Sequence, residues 1–169
     1  PISVESALPV FAILTLAATG SEMNPGAVVT NDETREKFAI GSAHTFPKVS
    51  IVNPALMQTV SRDYLVYSAA DIIAHSIEGY FTASVQPHFH SRMVEAIINT
   101  VIETTETLLA DPLNDDARAQ FAWAATLALN GVVSSGAGSR PRSIPTKSRI
   151  ASESYSASST PGSERLNQC

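Results

Sequence analysis

The hydrophobic pattern changes character near residue 60. Before that point apolar residues gather in short runs between polar turns. Beyond it they recur at helical spacing. Residues 9–16 (PVFAILTL), bounded by Pro9 and Gly20, read as a buried strand. Residues 26–30 (GAVVT) and 36–41 (EKFAIG) flank the polar turn Asn31-Asp32-Glu33-Thr34 and predict a hairpin. Residues 48–52 (KVSIV) predict another strand, stopped by Asn53-Pro54. Ser61 then stands as an N-cap, with Asp63 in the first turn, for a helix running through Tyr80. Residues 90–110 carry Met93, Val94, Ile97, Ile98, Val101, Ile102, Thr105, Leu108 and Leu109, a stripe at the i, i+3, i+4 spacing of an amphipathic helix. Asp111-Pro112 ends it. Asn114 caps the next helix, with Asp115 and Asp116 in its positive first turn. Its buried face uses Ala117, Phe121, Ala124, Ala125, Ala128 and Leu127, and the small residues there permit close helix packing. The fold class is α+β: a short strand-and-hairpin piece followed by about three helices.

Charge divides the chain at a different place. Residues 1–133 hold 6 basic and 14 acidic side chains, a balance of −8, whereas residues 134–169 hold 5 and 2, a balance of +3, for a total of −5. The last stretch has eleven serines, three prolines and almost no large apolar residues, without a period of 2 or 3.6. Such a segment cannot bury enough apolar area to offset its conformational entropy. It reads as a disordered tail, either a natural linker or the product of a shifted reading frame. The acidic total excludes a strongly basic nucleic-acid binder driven by phosphate neutralisation. No apolar run reaches the ~18 residues of a membrane-spanning helix, and Leu8 to Ala18 lacks the positive flank and cleavage site of a signal peptide. The single cysteine, Cys169, has no internal partner, which fits a reducing, cytoplasmic setting. The chain begins at Pro1 without an initiator methionine and is expected to belong to a longer parent.

Two stretches carry candidate chemistry. Asp71 and His75, at i and i+4, share one face of a helix, where a carboxylate oxygen and an imidazole nitrogen can converge on one divalent ion. Mixed nitrogen and oxygen ligation suits Fe(II), Zn(II), Mn(II) or Ni(II) rather than calcium. An Asp–His pair bonded to each other or to backbone fits the same spacing. Further ligands would have to come from elsewhere, with His44, His88, His90 and Glu78 as candidates, although surface positions suit His88, His90 and Glu78 better. The second stretch, Thr15-Leu16-Ala17-Ala18-Thr19-Gly20-Ser21-Glu22, is a strand running into a polar turn whose hydroxyls and N–H groups can hold a phosphate. An ordinary strand-ending turn has the same composition. No GxGxxG, GxxxxGK[ST] or GxSxG motif occurs.

Taken together, TLAATGSEMNPGAVV, Lys37, SAHTFPKVSIVNP, DIIAHSIEGYFT and WAATLALNG resemble the iron-containing alcohol dehydrogenases, nearest the NAD(P)H-dependent butanol dehydrogenase and aldehyde reductase branch. The resemblance covers about residues 8–135, in order and with matching spacing. It implies that residues 1–58 are the C-terminal part of a cofactor-binding α/β domain, 59–135 part of an all-α metal-binding domain and 136–169 the Ser-rich tail. It also implies Asp71 and His75 as ligands of Fe(II), or of Zn(II), and Thr15, Thr19, Asn24, Lys37 and Leu56 as contacts of NADP or NAD. Packing alone also accounts for Leu56, and a solvated hairpin position for Lys37.

The implied reaction is hydride transfer between NAD(P)H and an aldehyde or primary alcohol at a divalent metal. The implied partner is that small molecule, not nucleic acid or a membrane, with a homo-oligomer expected for the full-length enzyme. The family completes its metal site with two downstream histidines, and this sequence has no histidine after His90. It also lacks the Gly-rich pyrophosphate turn of the family's Rossmann-like part. The chain therefore reads as the middle of such an enzyme, with a tail that departs near Ser139. Two other readings compete: a non-catalytic remnant or partner-binding helical chain, and a zinc-dependent enzyme of the glycerol dehydrogenase type. That departure favours a shifted reading frame or a truncated gene model over a natural linker, and sequencing the source DNA around codons 134–140 tests it: a single-base shift that restores a His-rich helix would settle what the tail is.

Overall fold

The structure is a computed structural model that describes residues 4–85 and 87–133, so the predicted Ser-rich tail lies outside the described residues. Strands β1 (Val10–Ile13) and β4 (Pro47–Ile51) form a parallel pair with Phe11 beside Val49 and Ile13 beside Ile51. Strands β2 (Ala27–Asn31) and β3 (Glu36–Ile40) form the antiparallel hairpin, with Thr30 beside Lys37. Its turn is built locally. Asn31 Oδ1 accepts from the N–H groups of Glu33 (3.0 Å) and Thr34 (3.3 Å), and Arg35 closes the loop at φ +55°.

The expectation of a buried strand over residues 9–16 requires correction. β1 is shorter, and Phe11 and Ile13 are 69% and 62% exposed. Parallel strands are normally covered on both faces by helices. Here β1 has one strand neighbour among the described residues, β4, and its burial begins only at Leu14, where the chain leaves the sheet for the helical core.

Three helices follow: α1 (Arg62–Thr82), α2 (His88–Ala110) and α3 (Asp115–Leu129). Ser61 caps α1 by accepting from the Tyr64 N–H, and Asn114 caps α3 by accepting from the Ala117 N–H at 3.0 Å. The acids Asp63, Asp115 and Asp116 occupy first turns, where the helix dipole favours negative charge. At the other end of α2, the Arg62 guanidinium donates to the Leu109 carbonyl at 3.1 Å.

The core lies between the helices. Ile72 of α1, Val94, Ile97, Val101 and Leu108 of α2, and Phe121 with Ala117, Ala122, Ala124, Ala125 and Ala128 of α3 are buried. Leu14, Ala17 and Met57 from the strand-bearing half join this same cluster, so packing is continuous across residues 58 and 59. Residues 54–57 form a 3-10 turn capped by Asn53. Arg118 is buried beneath it. Its guanidinium donates to the carbonyls of Met57 (2.9 Å) and Pro112 (2.5 Å), tying that turn and the α2–α3 loop to α3. The hydroxyls of Ser76 and Thr104, also buried, donate back to carbonyls one turn earlier on their own helices.

Ile72 is 0% exposed at the centre of this core. Its replacement in Ile72→Ala is expected to cost about 2–5 kcal/mol in urea unfolding followed by circular dichroism. Ile102→Ala, at an exposed position of α2, is expected to change stability by less than about 0.5 kcal/mol.

Candidate active site

Because β1 and β4 run parallel, both leave the sheet at the same end, and the Leu14 N–H still donates to the Ile51 carbonyl there at 3.0 Å. From that end β1 feeds the segment Thr15–Glu22, and β4 feeds the 3-10 turn that carries Leu56. Ligands of sheets with parallel strands characteristically bind outside the strands' carboxyl ends. Leu16 and Ala17 line one small cavity together with Met57, Leu65, Arg118 and Phe121, which places the two outgoing segments side by side.

Within the first segment, Thr15 and Thr19 are exposed. Gly20 adopts φ +62°, and a Cβ there would lie 3.2 Å from the Thr126 carbonyl oxygen. The position thus needs glycine for both its backbone conformation and its close approach to α3. Glu22 is buried, and its carboxylate accepts a hydrogen bond from the Thr126 hydroxyl. The Glu22 carbonyl accepts from Ser50 Oγ at 2.6 Å. Asn24 is half-buried. Its Nδ2 donates to the carbonyls of Thr19 (2.8 Å) and Leu129 (3.4 Å), while its Oδ1 accepts from the Gly26 N–H at 3.0 Å. Leu56 is exposed on the 3-10 turn, and Lys37 is exposed on the separate β2–β3 hairpin. The structure thus brings Thr15, Thr19, Asn24 and Leu56 to one end of the β1–β4 pair, with Lys37 carried on another element.

Asp71 and His75 lie in the middle of α1, with His75 Nδ1 3.6 Å from Asp71 Oδ2. His75 is buried and Asp71 half-buried. The separation exceeds an ordinary hydrogen bond. It is shorter than two metal–ligand bonds of about 2.1 Å laid end to end, so both atoms can reach one ion. His44, His88 and Glu78 are exposed, and His90 packs edge-on against Phe89 with ring centroids 6.0 Å apart. None of them joins the pair: among the described residues no group of three His, Cys, Asp or Glu side chains is placed to hold a metal.

Thr126 and Arg118 are absent from the sequence reading, and Glu22 enters it only as the last residue of the polar turn, with no sign of its burial. The signals available were an acid directly after Thr-Gly-Ser, a lone threonine in an alanine-rich helix and an arginine among that helix's apolar positions. Each also fits a surface role, and only packing reveals that all three are buried.

Fold and site define a mixed α+β protein in which a strand-end turn is docked on a helical unit carrying a carboxylate–imidazole pair. Residues 1–54 match the family described as iron-containing alcohol dehydrogenase, and residues 65–139 match the C-terminal part of the Fe-containing alcohol dehydrogenase family. The chain belongs to the iron-containing alcohol dehydrogenase family. It is 44% identical over 133 residues to "Probable NADH-dependent butanol dehydrogenase 1" of Bacillus subtilis, a match covering 79% of this chain and 34% of that protein. It is 38% identical over 133 residues to the NADPH-dependent aldehyde reductase YqhD of Escherichia coli, again covering 79% and 34%. The crystal structure of NADH-dependent butanol dehydrogenase A from Thermotoga maritima superposes with a TM-score of 0.77 at 42% identity, covering 82% of this chain and 34% of that one. The chain therefore spans about a third of the length of the curated relatives it matches.

Two glycines are expected to respond in opposite directions. Gly20→Ala forces a Cβ into the left-handed region against α3 and is expected to cost about 1–3 kcal/mol. Gly79→Ala, inside α1 with nothing within 4 Å of the new Cβ, is expected to stabilise by about 0.5–1 kcal/mol. Urea unfolding of the two variants checks both signs.

Proposed function

We propose that this chain supplies the cofactor-turn and first metal-ligand portions of a metal-dependent, NAD(P)-linked alcohol dehydrogenase or aldehyde reductase. The observation that carries the reading is the Asp71–His75 pair, one helical turn apart with side-chain atoms 3.6 Å from each other, in a chain of this family. When bound, the divalent metal supplies Lewis acidity toward a carbonyl oxygen, and the nicotinamide supplies the hydride. Asp71 and His75 act as ligands and are not free to serve as acid or base. Burial of His75 limits its rotation, so the imidazole is presented at little entropic cost.

On the cofactor side, the exposed hydroxyls of Thr15 and Thr19 offer hydrogen bonds to phosphate and carboxamide groups. Asn24 holds the turn through its bonds to Thr19 and Leu129 and faces the cofactor with what remains exposed. Lys37 contributes charge from the hairpin and Leu56 an apolar contact from the 3-10 turn. The substrate class is a small aldehyde or primary alcohol, as the relatives' names suggest. The metal is Fe(II) or Zn(II), and the cofactor NADH or NADPH. No helix among the described residues is long and apolar enough to cross a membrane. The assembly we infer is a homo-oligomer of the full-length enzyme in the cytoplasm.

Two ligands leave the remaining coordination positions to water, so the chain on its own is expected to hold metal weakly and turn over slowly. Isothermal titration with Fe(II) or Zn(II) should give one site per chain, weakened at least about tenfold by Asp71→Ala or His75→Ala. Metal affinity unchanged in both variants would refute the ligand assignment. NADPH oxidation with butyraldehyde by the loaded chain is expected to stay well below ~1 per second, the low end of ordinary enzymes. Turnover at or above that rate would show that the two downstream histidines are dispensable.

A further inference from the structure

The segment from Thr19 to Asn24 has two faces. Thr19, Ser21 and Met23 are exposed, whereas Gly20 and Glu22 are buried and Asn24 is half-buried. Every inward residue of this alternation meets the C-terminal half of α3. Gly20 packs on the Ala125 and Thr126 carbonyls, the Glu22 carboxylate accepts from the Thr126 hydroxyl, and the Asn24 amide donates to the Leu129 carbonyl. The outward face is therefore set by what holds the inward one.

Glu22 is the unusual member of this set. It is 2% exposed, and its Oε2 receives no hydrogen bond among the described residues. The buried guanidinium of Arg118 is committed to the carbonyls of Met57 and Pro112. A buried carboxyl group with one hydrogen bond is a poor means of gaining stability, because its desolvation cost is only partly offset. An apolar residue would fill the same volume at lower cost, but it would not select one register of the turn on α3. A directional bond to a single hydroxyl does select it. Thr126 is itself fully buried in an alanine-lined face and offers the only side-chain hydroxyl of α3.

We propose that Glu22 is a positioning residue: through Thr126 it latches the Thr19–Asn24 turn onto α3 in the one register that turns Thr19 and Ser21 outward for the cofactor. The latch joins residues 104 apart in sequence and makes α3 the common support of the turn and of α1, which carries Asp71 and His75. The cofactor part of this proposal rests on the function proposed above.

The test uses the full chain and variants chosen to spare its packing. Thr126→Val removes the hydroxyl while conserving volume, Thr126→Ser retains the hydroxyl, and Glu22→Gln retains the acceptor oxygen. Hydrogen exchange is read over residues 15–24 and, as an internal reference, over residues 94–108 of α2. NADPH affinity is read by titration of its nicotinamide fluorescence. Thr126→Val is expected to accelerate exchange in the turn about tenfold, the equivalent of one lost hydrogen bond, with α2 unchanged and NADPH binding weakened by a similar factor. Thr126→Ser and Glu22→Gln are expected to exchange as the wild type does. Turn exchange unchanged in Thr126→Val, or turn and α2 accelerated equally, would overturn the latch. Glu22→Gln behaving like Thr126→Val would overturn it too, because the acceptor oxygen would then not be what matters. A wild-type chain that fails to bind NADPH would refute the cofactor reading, and the exchange comparison would still decide the latch.

Discussion

The close approach allowed by the alanine face of α3 is the constraint on which the structure depends. Ala122 and Ala125 are completely buried, and Ala117, Ala124 and Ala128 nearly so. With no side chain beyond Cβ, α3 lets α1 and α2 pack against its flanks and lets the Gly20 backbone settle directly on its carbonyls. Larger residues there would push the strand-end turn away from the helices. The hydrophobic cluster that now unites Leu14, Ala17 and Met57 with the helical core would then divide.

Against this apolar support stand three buried polar side chains with distinct structural consequences. Arg118 offers its donors to main-chain carbonyls rather than to a carboxylate, so its charge is met by peptide dipoles at the end of the 3-10 turn and in the α2–α3 loop. The Thr126 hydroxyl carries one proton and has two acceptors within reach, the Ala122 carbonyl of its own helix and the Glu22 carboxylate. Glu22 in turn connects α3 to the strand-bearing half, which is also tied through Ser50 to the Glu22 carbonyl. Polar burial of this kind costs desolvation and returns specificity of register, and it concentrates where the candidate cofactor turn meets the helices.

The carboxylate–imidazole pair on α1 shows how much chemistry one helix can carry and where it stops. Spacing of i and i+4 brings Asp71 and His75 within reach of a common ion without help from any other element. A closed site needs more ligands than one helical face presents. His44 and His88 are exposed and His90 is half-buried at the start of α2, and among the described residues none of them joins the pair.

Local features were readable from the residues themselves. Ser61 and Asn114 act within three residues of their own positions, the Asn31 turn closes on its own backbone, and the stripe from Val94 to Leu108 follows helical geometry alone. The Asp71–His75 pair belongs to this class, because helix spacing decides it. The exposure of β1 does not, since an apolar run looks the same whether or not helices cover it, and coverage is decided by elements elsewhere. Burial of Glu22, Arg118 and Thr126 lay equally beyond the sequence. Glu22 finds Thr126 across 104 positions and Arg118 finds Met57 across 61, contacts that exist only once α3 has docked. The side chains' short-range preferences established the elements and one candidate ligand pair; the tertiary packing of α3 decided which polar groups left water and which face the strand-end turn presents.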